Sequence, residues 1–539
     1  MNKERFNQVL SSSLWAAYGD ALGFPTELAS EYTLKKRIGQ IAIETTQPWK
    51  RLVGGKFGAN AELPAGAYSD DTQLRLATSR ALTSKGGFDV ESFAKVELPT
   101  WLNYALGAGR GSKAAASELS NKNTNWYTNF FKNKSVDYVS CGGNGAAMRI
   151  QPHVWSAVDL TDINTILSDV IRNSICTHGH LRGIAGAVVH AMCLIYVMRY
   201  NKIPPPEEWL DFTQAIEKIP SIIDNDYDLS IFWKPVWEEK SNLTLSSAAE
   251  EVAEEWADLV GISLECYSES EVGTYKEILK ALGGMNSSER GSGLKSALFS
   301  LAGASLLEKN GIENALILMA NQLGSDTDTI ATMAGALLGA NLNNYQTFDK
   351  DLQDKNYLIS EAERCYRISL GELVAGFKYP DLLYWEGPKS AIDAVKKSPD
   401  GLHLLGLGVL KEKSEVFQSN QKGAVWRWFN LPFGQSVLCK VRSGFIVDDS
   451  LQKNGSASLV ESECEVEKSG ELFSNSFKEC PKSLDEMTED AIKSNFDPEL
   501  IGKHVLEISS RELGIELVVG YVAVIAKAKR ARERRLNRA

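Results

Sequence analysis

Histidine and cysteine are scarce and scattered. The 539-residue chain has six histidines and eight cysteines (Cys141, Cys176, Cys193, Cys266, Cys365, Cys439, Cys464 and Cys480), with no CxxC pair and no regular spacing. That removes the usual basis for a zinc site or a disulfide framework and fits a reducing, cytoplasmic setting. The N-terminal MNKERFNQVLSSSLWAAYGD has no continuous apolar core followed by a small-residue cleavage site, so it reads as an amphipathic helix rather than a leader. The late apolar run from Leu517 to Ala526 has about half the residues a membrane-spanning helix needs, and no membrane partner is expected. A formal net charge of −11 argues against nucleic-acid binding by the surface as a whole.

Hydrophobic residues make up 43% and charged residues 24%, the balance of an ordinary folded protein with a sizeable core. At this length more than one structural region is expected. From the start to about Gly371, apolar residues step at three and four: Phe6, Val9, Leu10 and Leu14, then Leu74, Ala77, Ala81 and Leu82. Ile184 to Met198 is almost entirely apolar and reads as a buried helix, and Ala297 to Leu318 reads as two helices parted at Asn310-Gly311. A compact all-α region over residues 1–375 is therefore expected. Its acidic stretch at about 220–275 reads as an enlargement or a solvated helical surface.

The composition shifts after 380. AVWRWFNLPFG and QSVLCKVRSGFIVDD are strand-like, which predicts a smaller accessory domain over 380–539, mixed α/β or β-rich. The polar segment Glu461 to Pro498 reads as a loop. The basic tail with Lys527, Lys529, Arg530, Arg532, Arg534, Arg535 and Arg538 suits either a polyanion, nucleic acid included, or simply a solvated helix end.

Two acidic helix starts are candidates for chemistry. GSDTDTIATMAGALLGA (324–340) carries Asp326, Asp328 and Thr329 before a helix slimmed by Ala331, Ala334, Gly335 and Gly339. YSDDTQ (68–73) carries Ser69, Asp70 and Asp71. In each, one aspartate could cap the helix. A deeply seated helix start with two carboxylates needs cations or shared protons, and these hard oxygen donors suit Mg²⁺, Mn²⁺ or Ca²⁺. CGGNGAAMR places Gly142, Gly143, Asn144, Gly145 and Ala146 in a loop able to present backbone N–H groups to an anion, or to make a plain tight turn. GDALGFPTE ends a helix in a glycine corner that delivers Glu27, to a site or to solvent, and THGH adds His178.

Taken in order, GDALGFPTE, YSDDTQLRLA, GGNGAAMR, the TH pair and GSDTDTIATMAGALLGA resemble the signatures of the ADP-ribosylglycohydrolase family, of the dinitrogenase-reductase-activating glycohydrolase type, over about residues 5–370. The resemblance implies an all-α fold of orthogonal helices and hydrolysis of the bond joining ADP-ribose to an acceptor, protein arginine first. It implies two divalent cations, Mg²⁺ or Mn²⁺, held by Ser69, Asp70, Asp71, Asp326, Asp328 and Thr329. Serine stands at 69 where threonine is usual, which keeps the hydroxyl. Asp70, Asp71 and Glu27 are the implied catalytic groups, and Gly142 to Ala146 with His178 the implied ADP-ribose pocket. The partner would be an ADP-ribosylated protein or another ADP-ribose conjugate. A catalytically silent ADP-ribose-binding module, or an adaptor role for the C-terminal region, is the competing reading.

Overall fold

The computed structural model describes residues 3–84, 87–445, 483–510 and 514–536. In chain order, the elements that position the site are helix α1 (Lys3–Gly23), strands β1 (Trp49–Val53) and β2 (Ala59–Leu63), helix α2 (Asp70–Arg80), the apolar helix α3 (Leu181–Tyr200), α4 (Leu245–Glu265), α5 (Gly293–Leu307), α6 (Thr327–Ala340) and α7 (Lys355–Ser369). Strands β3 (Val395–Ser398), β4 (Gly401–Leu404), β5 (Gly408–Glu412), β6 (Phe417–Gln418), β7 (Ala424–Asn430) and β8 (Ser436–Arg442) follow. Helices α8 (Leu484–Lys493), α9 (Pro498–Ser509) and α10 (Gly514–Leu536) end the chain.

Helices α1 and α6 lie antiparallel, backbone against backbone. Ser11 meets Gly339, Trp15 meets Gly335, Gly19 meets Ala331 and Gly23 meets Asp328, one contact per turn. A Cβ on Gly339 would stand 2.6 Å from the Ser11 carbonyl oxygen, and one on Gly335 would overlap that of Trp15. Hydroxyls stitch the seam: Ser12 Oγ donates to the Ala336 carbonyl and Thr332 Oγ1 to that of Ala16, both at 2.7 Å. Small residues on α6 thus face Ser11 and Trp15, and glycines on α1 face Ala331 and Asp328, so each crossing has a glycine on one side. The seam brings the end of α1 to the start of α6.

Around this pair the core is continuous. Within α3, the most apolar 18-residue window, which by length and composition would suffice to cross a membrane, is 83% buried inside the protein. The acidic stretch has a packed face as well as a solvated one: in α4, Leu245, Val252, Trp256 and Leu259 are buried at helical spacing, while its glutamates point outward. The Asn310-Gly311 break is present, with Gly311 at φ 80°, a left-handed backbone that glycine adopts without strain.

The structure differs from the sequence reading in three places. The helical region contains an antiparallel hairpin, β1 against β2, with Trp49 opposite Leu63 and Val53 opposite Ala59. The late sheet runs β8-β7-β5-β4-β3, with β6 also paired to β7, all antiparallel. It belongs to the same compact unit as the helices, Met1–Ile446, so the boundary expected near 375–380 lies instead at 446. The second unit, Val447–Ala539, has described helices α8 to α10 packed through Met487, Phe496, Ile508, Tyr521 and Ile525. Part of the expected loop from Glu461 to Pro498 is therefore helix α8, opened by a Ser483–Glu486 capping box. Residues 461–482 and Arg538 lie outside the described residues.

The α1–α6 seam predicts that Gly335→Ala lowers stability by roughly 1–3 kcal/mol through overpacking. Gly261→Ala, exposed on α4 with open space around it, should instead be neutral or gain up to about 1 kcal/mol. Chemical denaturation of the two variants distinguishes them, and equal midpoints would remove the steric account of the seam.

Candidate functional site

The two acidic helix starts meet where α1 ends. At α2 the cap is Ser69, whose Oγ accepts the Asp71 N–H at 3.2 Å, so neither aspartate is spent on capping. A third carboxylate reinforces that start from α1. Asp20 Oδ1 accepts the Ser69 N–H at 2.9 Å, and its Oδ2 accepts the Thr72 N–H at 2.9 Å and the Thr72 hydroxyl at 2.6 Å. At α6, Asp326 occupies the cap position without capping; its Oδ2 takes a hydrogen bond from Asn144 Nδ2 at 2.8 Å instead. Thr327 holds the α6 start to α1 by donating to the Gly23 carbonyl at 3.0 Å.

Among the described residues, two carboxylate triplets form here, Asp20–Asp71–Asp328 and Glu27–Asp326–Asp328. Within each, the oxygens lie within 4.8 Å of one another, and Asp328 is common to both. A single cation with metal–oxygen distances of about 2.0–2.6 Å spans such a separation. Thr329 Oγ1 stands 3.3 Å from both oxygens of Asp71, and the Thr329 N–H donates to Asp328 Oδ1 at 2.9 Å. Asp70 belongs to neither triplet. Its N–H donates to the Leu106 carbonyl at 2.7 Å, and its Oδ1 faces Gly107, where a Cβ would come within 2.8 Å of it. Gly107 has φ 93°.

Burial holds all six carboxyl groups above their ordinary range. For Asp70 the next causes are Glu27 and Asp20, for Asp71 they are Asp20 and Asp70, and for Asp328 they are Glu27 and Asp71. Asp20, Glu27 and Asp326 are raised by desolvation and partly relieved by Thr72, Arg51 and neighbouring hydrogen bonds. The nearest fixed cation under Asp20 and Asp71 is Arg75, buried and hydrogen-bonded to Gln151 Oε1 at 3.0 Å. Arg51 and Arg37 act on Glu27, Arg290 on Asp326 and Lys113 on Asp70, yet all six acids stay raised, and their hard oxygen donors fit a divalent-cation centre.

Glu27 faces this centre rather than solvent. Its Oε2 accepts both Nη atoms of Arg51 at 3.2 Å, with the arginine stacked 4.5 Å from the Phe24 ring centroid. The glycine loop abuts the same place. The Gly142 carbonyl accepts from Gly293 N at 2.9 Å, Gly143 bridges Ser292, and the Asn144 N–H donates to the Gly291 carbonyl at 3.0 Å. Gly145 accepts from Arg149 Nη1 at 2.9 Å, and Ala146 is fully buried behind it. The loop opens a 3₁₀ turn, Ala147–Arg149, so an anion there would meet loop amides and not a long helix N-terminus. His178 lies against Gly145, within ordinary contact of a Cβ placed on Gly143, and its Nδ1 pairs with Thr177 Oγ1 at 2.7 Å. Burial and the Arg149 charge push its pKa down to about 3, so the ring is neutral near pH 7.

Every sequence-predicted residue thus lines or adjoins one region; Asp20 and Arg51 are the participants that sequence reading passed over. Asp20 had a signal. It is the lone charge in the apolar stretch LWAAYGDALG, a cost that only a buried partner explains.

A family model described as ADP-ribosylglycohydrolase matches residues 1–344. The uncharacterized protein YegU of Escherichia coli (strain K12) is 24% identical over 350 residues, covering 62% of this chain and 87% of YegU. ADP-ribosylhydrolase ARH1 of Dictyostelium discoideum is 24% identical over 216 residues, which are 39% of this chain and 51% of ARH1, so the match spans about half that relative's length. A solved structure described as an ADP-ribosylglycohydrolase-related protein complex is similar at 20% identity and a TM-score of 0.42, over 68% of this chain and 99% of its own. With the matched model spanning both acidic helix starts and the glycine loop, the chain belongs to the ADP-ribosylglycohydrolase family.

Proposed function

We propose that the protein is a metal-dependent hydrolase that removes ADP-ribose from a conjugate, with protein arginine as the first acceptor to test. The observation that carries this reading is the pair of carboxylate triplets sharing Asp328 beside the glycine loop. Asp20, Asp71 and Asp328 would hold one divalent cation, and Glu27, Asp326 and Asp328 a second. Ser69 and Thr329 are available as hydroxyl donors, and Asp70 stands alongside. When bound, Mg²⁺ or Mn²⁺ supplies Lewis acidity that makes water a better nucleophile near neutral pH.

The chain's own groups account for the rest. Loop residues 142–146 and neutral His178 would seat the ADP-ribose. Asp70, Asp71 or Glu27 would take a proton as the water oxygen bonds to the anomeric carbon. The bond from that carbon to the acceptor nitrogen or oxygen breaks, its electron pair leaves with the acceptor, and a proton returned to that atom completes the addition of water. Hydrogen bonds already hold these groups, Asp70 N–H to the Leu106 carbonyl, Asp71 N–H to Ser69, Asn144 to Asp326, Arg51 to Glu27 and Thr177 with His178, so little reorganisation is required.

At least one of the arginine-, serine- and nucleotide-linked ADP-ribose conjugates should release ADP-ribose with Mg²⁺ or Mn²⁺ and stop doing so in chelator. The double variant Asp70→Asn with Asp328→Asn should lose at least about a hundredfold in rate. ADP-ribose binding without release from any conjugate would instead establish the silent-module reading.

Stability offers a separate check of the cation. In chelator the folded chain keeps protons on carboxyls that the unfolded chain gives up near pH 4. Raised folded values mean that stability falls as pH climbs through them. Mn²⁺ at a hundred times its Kd should restore about 2.7 kcal/mol for each site it fills. Asp71→Asn with Asp328→Asn should flatten the pH slope and cancel the Mn²⁺ effect in thermal denaturation; an undiminished response would sink the assignment.

A further inference from the structure

Residues 376–445 lie beyond the family match, yet they grip the site from two directions. The first grip is on the hairpin. Asn420 N–H donates to the Gly58 carbonyl at 2.7 Å, Ser419 Oγ to that of Phe57 at 2.8 Å, and Trp428 Nε1 to that of Glu62 at 3.0 Å. The Trp426 ring lies so close to Gly54 that a Cβ there would be 2.5 Å from it. Trp426, Trp428 and Leu438 share one buried cluster with Trp49, Val53, Leu63 and Phe24. The second grip is on α2 and the residues just before it: Gln435 Oε1 accepts from Arg80 Nη1 at 2.7 Å, and Ser436 N–H reaches Tyr68 through Asp354, at the head of α7, whose Oδ2 accepts both it and the Tyr68 hydroxyl at 2.7 Å.

A two-stranded hairpin is marginally stable alone, so its position is set by what it packs against. The Arg51–Glu27 pair is partly open, with 21% and 14% side-chain exposure, and such a pair holds a geometry only when its members are anchored. Here the anchor of Arg51 is β1, and the anchor of β1 is the late sheet.

We infer that the sheet of residues 395–445 is a working part of the site, fixing the β1–β2 hairpin so that Arg51 keeps the Glu27 carboxylate turned onto Asp326 and Asp328. Arg51 is on this account a positioning residue. The kinetic consequence rests on the hydrolase reading; the mechanical one does not.

The full-length chain tests both. Trp426→Ala should raise hydrogen–deuterium exchange across residues 49–63 while α1 and α6 keep their protection. Trp428→Phe, which keeps an aromatic ring but loses the N–H bonded to Glu62 and part of the buried ring surface, should do the same to a smaller degree. Unchanged exchange of the hairpin in both variants overturns the buttress. With an ADP-ribose conjugate that the wild type cleaves, Arg51→Ala should lower kcat about tenfold, as expected for a misplaced reacting group, while KM, ADP-ribose affinity and the thermal midpoint stay near wild type. Arg51→Lys should recover most of the loss. An unchanged kcat, or a loss carried wholly by KM, overturns the positioning role. A wild-type chain that cleaves no conjugate counts against the hydrolase reading, and the exchange experiment then decides the buttress alone.

Discussion

The approach of α1 to α6 is the constraint from which the rest follows. Two helices this close need glycine or alanine at every crossing, and they satisfy each other's exposed carbonyls with serine and threonine hydroxyls. Side chains of ordinary size would hold the axes 8–10 Å apart. The seam instead drives the start of α6 under the end of α1, and that is why Asp328 stands between Asp20 and Glu27. Packing selects the place, and electrostatics then gives it a use.

That use comes from an imbalance. Buried carboxylates normally gain a partner or a proton. Here Arg75, Arg51 and Asn144 engage the periphery of the acidic group and Arg37 interacts with Asp328, yet the shared aspartate is still raised by burial and by its acidic neighbours. The glycine loop fits the same scheme. It aims the Asn144 side-chain amide at Asp326, and a neutral histidine beside it adds no charge of its own.

Much of this was legible in residues. Period-3.6 runs gave α1 and α2, a nearly continuous apolar run gave α3, and the β-branched and aromatic runs gave β7 and β8. The two acidic starts and the glycine loop could be recognised because each places unusual residue types at a helix boundary. What escaped notice depended on three-dimensional partners. The hairpin is two five-residue strands, too short to outweigh the helical text around it. Asp20 reads as one charge in an apolar helix until α2 is seen against it. The domain boundary was placed at a change of composition, but a strand-rich segment can add to an existing core as readily as start a new one, and Trp426 and Trp428 found Trp49 and Phe24.

Asp20 ties two properties that proteins often keep apart. Both of its oxygens are committed to the first turn of α2, and the same carboxylate belongs to the acidic triplet. An ion held at this place would therefore tension the join between α1 and α2, so that ligand occupancy and the integrity of the scaffold would become one coordinate. A chain so built has no separate dial for durability: whatever loosens that carboxylate from the helix loosens the acidic cluster with it.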